Sequence, residues 1–192
     1  MYALELISQH LASTEFWKEN AVGFGFAALL MIVLALVVAR LGGSHRWYIR
    51  RARKVYDFIN KNGLNEGQII SYLRKINPYV FEELVLLAFS RKGYSIERNK
   101  RYSGDGGIDG RVSRGGKKYY LQCKRYRNYI NQSHVEEFSR VCHKAGRDGF
   151  FVHTGKTGKA SRQSAYVSGN VSIVSGNRLA HMLMEQYKHV NI

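Results

Sequence analysis

Between Ala21 and Ala39 the sequence runs AVGFGFAALLMIVLALVVA, 19 positions without a charged side chain. As a helix rising 1.5 Å per residue, such a run is about 28 Å long, close to the hydrocarbon thickness of a bilayer. The alternative is a helix buried in a soluble core, but core helices rarely lack a polar face over five turns. A cleaved leader fits worse, because the run starts late, is too long for a leader's apolar region, and ends in Arg40 instead of a small-residue cleavage site.

The flanks orient the span. Glu5, Glu15 and Glu19 precede it with only Lys18, whereas Arg40, Arg46, Arg50, Arg51, Arg53 and Lys54 follow it. The positive-inside rule puts the C-terminal side in the cytoplasm, and Trp17 and Trp47 sit near the two headgroup regions. The expected organisation is a short extracytoplasmic N-terminus (1–20), a transmembrane helix (21–41), a basic juxtamembrane linker (42–71) and a cytoplasmic domain (72–192), in a bacterial inner membrane. The stretch RWYIRRARKVYDFIN, Arg46 to Asn60, reads as a basic helix along anionic headgroups or as a DNA-contacting arm.

Length leaves room for one ordinary domain beside the span. Lys and Arg number 30 against 14 Asp and Glu, a formal charge of +16. From residue 72 onward the balance is 22 against 9, so the basic excess is not only a topology signal. A polyanion is the expected partner. Two cysteines exclude a disulfide scaffold and four-cysteine zinc modules, and the seven histidines lack paired ligand spacing.

The order of elements points to an α/β sheet flanked by helices. Asn77 and Pro78 open a helix that Gly93 closes. Strands follow at Tyr94–Arg98, Ile108–Ser113 and Lys117–Arg125. Ser133 and Glu136 have capping-box spacing for a helix to Ala145. Then come a strand at Gly149–Thr154, a helix at Gly158–Val167, a strand at Val171–Val174 and a helix at Asn177–Lys188.

Chemistry concentrates in GDGGIDG (104–110) and in Gln122-Cys123-Lys124. If Gly115-Gly116 forms a two-residue hairpin turn, Asp109 stands opposite Gln122, and Lys124 points to the same face as Gln122. A carboxylate and an amide oxygen suit Mg²⁺, and a neighbouring lysine suits an attacking water or a charged phosphate. A plain Asp109–Lys124 ion pair in a turn-rich hairpin is the alternative. Thr154-Gly155-Lys156-Thr157 does not complete a nucleotide-binding loop, since Phe150 stands where that pattern requires glycine.

The strings PYVFEELVLLAFSRKGY, GDGGIDG, YYLQCKRY and GFFVHTG, in that order from about residue 77 to 183, resemble the Mrr-type catalytic domain of the PD-(D/E)XK nuclease superfamily. These are restriction-endonuclease-like proteins whose members include enzymes that cut methylated DNA. The resemblance implies a mixed sheet flanked by helices and a Mg²⁺- or Mn²⁺-dependent endodeoxyribonuclease of type IV restriction character acting on double-stranded DNA. It implies Asp109 as the motif aspartate and metal ligand, Gln122 at the place where most of the superfamily has Asp or Glu, Lys124 as the motif lysine, the main-chain carbonyl of Cys123 as a backbone metal ligand, and Glu82 as a supporting acid.

A helical wheel agrees on Glu82, which falls about 100° from the apolar centre, while Glu83, about 160° away, reads as solvated. Asp105 reads as a second carboxylate or as a turn residue. Lys156, Lys159 and Arg162, with Arg125 and Arg127, are the expected DNA contacts. A double-strand break requires two such sites, hence a pair of chains. A membrane-tethered DNA-binding module without cleavage is the competing reading. No separate recognition domain is visible in the sequence, so methylation dependence does not carry over with the resemblance.

Overall fold

The computed structural model describes residues 14–99 and 107–185, with side chains at all of these except 14–20, 22 and 37–44. The chain divides into two compact units between Arg46 and Trp47.

The first unit holds most of helix α1 (Thr14–Lys61). Every described side chain from 21 to 36 is exposed, including Phe26 at 69%, Leu30 at 70% and Met31 at 65%. Among the described residues no helix is long and apolar enough to cross a membrane. The uncharged run extends onto residues 22 and 37–39, whose side chains lie outside the description, as does the expected N-terminal segment up to residue 13.

The second unit begins with the last turns of α1, and here the structure departs from the expected linker. Ala52, Val55, Tyr56 and Ile59 recur at helical spacing and are all buried in the main core. Arg50, Arg51, Arg53 and Lys54 occupy the exposed side of the same turns. The basic helix is therefore a wall of the domain, and the compact unit starts well before the expected boundary at 72. Helix α2 (Glu66–Leu73) follows through a capping box between Asn65 and Gln68. Helix α3 (Pro78–Arg91) starts as its sequence predicts, with Asn77 accepting the N–H groups of Tyr79 and Val80, and ends at Gly93.

Among the described residues five strands form one sheet in sequence order: β1 (Ser95–Arg98), β2 (Gly110–Arg114), β3 (Lys117–Lys124), β4 (Asp148–His153) and β5 (Val171–Val174). The first three are antiparallel, and β3–β4 and β4–β5 are parallel. The parallel pairs require crossovers, supplied by α4 (Gln132–Lys144) and α5 (Lys159–Ser168). Helix α6 (Gly176–Leu183) is capped at Met184, and the expected helix end at Lys188 lies outside the described residues. One face of the sheet, with Val112, Leu121, Cys123, Phe150 and Val152, packs under α1, α2, α3 and α6. The other contributes Phe151 to a second core with Val135, Phe138 and Cys142 of α4 and Ala165 of α5.

Two local expectations shift. The first helix after the hairpin is capped by Asn131, whose side chain accepts the Ser133 N–H. Ser133 itself lies within the helix. Glu136 instead accepts hydrogen bonds from Gln132 and from Ser164 of α5.

Candidate active site

The site is set by the β2–β3 hairpin. Gly115 and Gly116 take φ of +57° and +78°, the left-handed pair that a two-residue turn requires. The ladder then pairs Arg114 with Lys117 and continues to Gly110 with Leu121. Asp109 is the next residue out, as the turn predicts, although β2 starts at Gly110 and not at Ile108. Its N–H donates to the Leu121 carbonyl at 2.8 Å. Its Oδ2 accepts the Cys123 N–H at 2.6 Å, which holds the carboxylate on the β3 backbone between Gln122 and Lys124.

Gln122 is buried. Its Nε2 donates to the Gly107 carbonyl at 2.7 Å, while its Oε1 is buried with no hydrogen-bond partner among the described residues. An orphaned buried acceptor costs about 1–3 kcal/mol, so its persistence asks for a reason. Gly107, at φ +83°, passes so close that a Cβ there would fall 2.6 Å from Gln122 Nε2. Only glycine combines that backbone with that approach.

Glu82 enters from the first turns of α3. Burial, then the charges of Asp109 and Glu83, push its carboxyl up to about 8, so it carries a proton near neutral pH. Its neighbour departs from the wheel reading. Glu83 is 2% exposed, and its Oε2 lies 2.7 Å from Arg98 Nε on β1. The sheet edge reaches past the flank of α3 and supplies a cation that a wheel cannot show. Glu83 is thus a structural partner of β1, and Glu82 the acid that senses Asp109.

Lys124 ends β3 partly exposed, beside His153 of β4. His153 has no place in the sequence reading. It is fully buried, and burial pushes its imidazole down to about 4, so it is neutral. Its Nδ1 accepts the Gly155 N–H at 3.2 Å. Its Nε2 lies 3.1 Å from Thr157 Oγ1, which lies 3.0 Å from Ser175 Oγ. This chain fixes the Gly155–Thr157 loop next to Lys124. A lone histidine has no ligand spacing to reveal it; its one signal is its place at the end of the apolar strand GFFVH.

The expected DNA contacts separate. Lys156, Lys159, Arg162 and Arg127 are exposed. Lys156 lies 5.8 Å from the centre of the exposed Tyr129 ring. Arg125, in contrast, donates to the carbonyls of Arg74 and Ile76, and Arg74 to the Thr154 carbonyl, so Arg125 braces the α2–α3 joint. Asp105 lies outside the described residues.

Among the described residues no three His, Cys, Asp or Glu side chains gather as a metal cluster. The oxygen set here is of another kind: a carboxylate at Asp109, a second acid at Glu82, and the unpartnered amide oxygen of Gln122. Oxygen donors of this sort suit a hard divalent cation.

Comparison with known proteins agrees with the geometry. A restriction endonuclease family model, the Mrr catalytic domain, matches residues 73–183. The type IV methyl-directed restriction enzyme EcoKMrr of Escherichia coli K12 is 33% identical over 127 residues, covering 62% of this chain. The chain spans 41% of that relative's length. A solved structure, SfsA of Pyrococcus furiosus in complex with Ca²⁺, overlaps 50% of this chain and 54% of its own at 14% identity. Its TM-score of 0.35 is too low to bear on fold or function. With Asp109, Gln122 and Lys124 set on the hairpin inside the matched span, the chain belongs to the Mrr-type restriction endonuclease family.

Proposed function

We propose that this chain is a membrane-anchored, divalent-metal-dependent DNA endonuclease that hydrolyses phosphodiester bonds at the Asp109 centre. The observation that carries the reading is the buried, unpartnered Oε1 of Gln122 beside Asp109. Asp109, Gln122 Oε1 and the Cys123 carbonyl, with Glu82 in support, would hold such a cation and so would give that oxygen its missing partner. Mg²⁺ or Mn²⁺ bound there would supply Lewis-acid stabilisation of the phosphate and a more acidic water. Asp109 is held in place for this by the Cys123 N–H. Lys124, on the same face as Gln122, orients the attacking water and balances charge on the phosphate. Lys156, Lys159 and Arg162 hold the flanking backbone.

The anchor is part of the proposal. A helix exposed around its whole apolar circumference from 21 to 36 fits lipid better than water. The charge asymmetry of the flanks supports a cytoplasmic nuclease at the inner membrane of a bacterium. Action on foreign or modified DNA belongs to the same proposal, as does pairing of two chains, since a double-strand break needs two such sites.

The test is cleavage of supercoiled plasmid, methylated and unmethylated, by the full chain in neutral detergent. Wild type should nick with Mg²⁺ or Mn²⁺ and not with EDTA, and Asp109→Ala and Lys124→Ala should each lose activity at least about a hundredfold. DNA binding without cleavage under every metal condition, unchanged by either substitution, sinks the enzyme reading and leaves a tethered DNA-binding module.

A further inference from the structure

On the face of β3 that carries Gln122 and Lys124, the alternate residues towards the hairpin turn are Tyr120 and Lys118. Their partners on β2 are Arg111 and Ser113, and beyond them on β1 stand Glu97 and Ser95. Helices α4 and α5 cover this face over β4 and β5. Over β1 and β2 it retains a cup of about 50 Å³ lined by Ser95, Glu97, Arg111, Ser113, Lys118 and Arg147.

The cup concentrates positive charge on a fixed aromatic platform. Arg111 Cζ lies 5.7 Å from the centre of the Tyr120 ring, and Arg147 Cζ lies 5.2 Å from it. The two guanidiniums approach from opposite sides, one on β2 and one just before β4. Tyr120 packs against the second core, so the platform does not move freely. Asn99 Oδ1 accepts from Arg111 Nη1 at 2.9 Å and sets that guanidinium. Three cations meet one carboxylate, Glu97, which is 72% exposed and 3.6 Å from Arg111. Two serine hydroxyls add neutral donors. Gathering like charges this way is unfavourable unless an anion joins them.

We infer that Arg111, Arg147 and Lys118, with Ser95 and Ser113, form a subsite for a backbone phosphate of the DNA strand running from the Asp109 centre along β2 and β3. This rests on the endonuclease reading above. Arg111 is two residues from Asp109, about 7 Å along the strand, so the subsite holds a phosphate close to the one cleaved. These three residues are positioning residues. They add a second contact track to the Lys156–Arg162 side and fix the direction in which the strand leaves the centre.

The experiment measures DNA affinity by fluorescence anisotropy against salt concentration, using the full chain in neutral detergent with EDTA, and cleavage in parallel with Mg²⁺. Variants are Arg147→Ala, Arg147→Lys, Lys118→Ala and, as a control outside the cup, Lys61→Ala. Each alanine change in the cup should weaken duplex binding about three- to tenfold. It should also reduce the slope of log K against log salt by about 0.9, the signature of one lost phosphate contact. Arg147→Lys should keep most of the slope, Lys61→Ala should match wild type, and all variants should melt alike. Arg147→Ala and Lys118→Ala with wild-type slopes, in a protein that binds and cuts, overturn the subsite and leave the endonuclease reading standing. The same result follows if free inorganic phosphate at millimolar level, but not DNA, protects the wild type and not Arg147→Ala against thermal melting. A wild type that neither binds nor cuts DNA overturns the endonuclease reading and the subsite with it.

Discussion

Glu82→Gln, made in the Trp47–Ile192 unit without metal, tests the electrostatics of the centre directly. In the folded protein burial and the charge of Asp109 hold the Glu82 carboxyl at about 8, against an ordinary value of 4.5. The folded state therefore keeps a proton that the unfolded chain releases between those values. With the folded value raised, stability is complete below pH 4.5 and falls as pH rises through 8. pH 7 lies roughly 2.5 above the ordinary value and each pH unit corresponds to about 1.4 kcal/mol, so for a partly buried side chain the loss at pH 7 is at most about 3 kcal/mol. Glutamine has the shape of the protonated acid and no titration. Urea unfolding from pH 4.5 to 8.5 in EDTA should give near-equal stability at the acid end and a variant more stable by about 2–3 kcal/mol near pH 8. Added Mg²⁺ should raise the midpoint of wild type and leave the variant nearly unmoved. The variant should cut DNA poorly while being the more stable protein. Two stability curves that stay parallel from pH 5 to 8 would refute the reasoning, because Glu82 would then titrate alike folded and unfolded.

Three further outcomes follow from the packing. A fragment starting at Asn65 loses Val55, Tyr56 and Ile59 from the core; at roughly 1.5–3 kcal/mol for each apolar side chain, this removes on the order of 5 kcal/mol. It should be unfolded or aggregated by circular dichroism while Trp47–Ile192 melts cooperatively, and equal melting of the two would place α1 outside the core. Glu83→Ala strands Arg98 against a buried gap and should cost about 3 kcal/mol in urea unfolding. Glu83→Ala combined with Arg98→Met should recover part of that loss, and no recovery would mean the pair is not what holds β1 to α3. His153, held at about 4 against 6.5, must remain neutral to stay folded, so its contribution is present above pH 6.5 and is lost as pH falls towards 4. His153→Gln should flatten that acid limb by at most about 3 kcal/mol, read from melting temperatures between pH 4 and 7.

The sequence made the hairpin legible because two adjacent glycines leave one good turn, and the turn then dictates the register out to Asp109. Capping chemistry located α3 for the same local reason. The failures all involve partners distant in sequence. Glu83 looked solvated on a wheel because the wheel knows nothing of Arg98, fifteen positions on and on another element. The spacing of Ala52, Val55, Tyr56 and Ile59 was readable as a core face, yet five cations between Arg46 and Lys54 made the whole stretch read as lying on headgroups or on DNA. Charge described one side of that helix and burial the other. Arg125 is exposed as its charge suggests, yet nothing in the sequence signals that its Nη1 also donates to two carbonyls of the α2–α3 joint.

Gln122 ties these features into one account of the centre. Where most of the superfamily has an acid, an amide brings no charge, so Asp109 carries negative charge at the described site and Glu82 adds to it only once ionised. Burial first, and then the charge of Asp109, leaves Glu82 protonated near neutral pH. The amide, with its nitrogen committed to Gly107, leaves a buried oxygen without a partner among the described residues. The metal-free site therefore stores two separate costs, a displaced carboxyl and an orphaned acceptor. A single divalent cation, if bound as proposed, would relieve both by favouring the ionised acid and taking up the lone pair. Had the orphaned oxygen been an accident of packing, Gln122→Leu would remove one cost without touching the response to Mg²⁺. If it is a ligand, that substitution stabilises the metal-free fold while abolishing the metal-dependent gain. Stability measured with and without Mg²⁺ thus separates a packing defect from a binding site before any DNA is added.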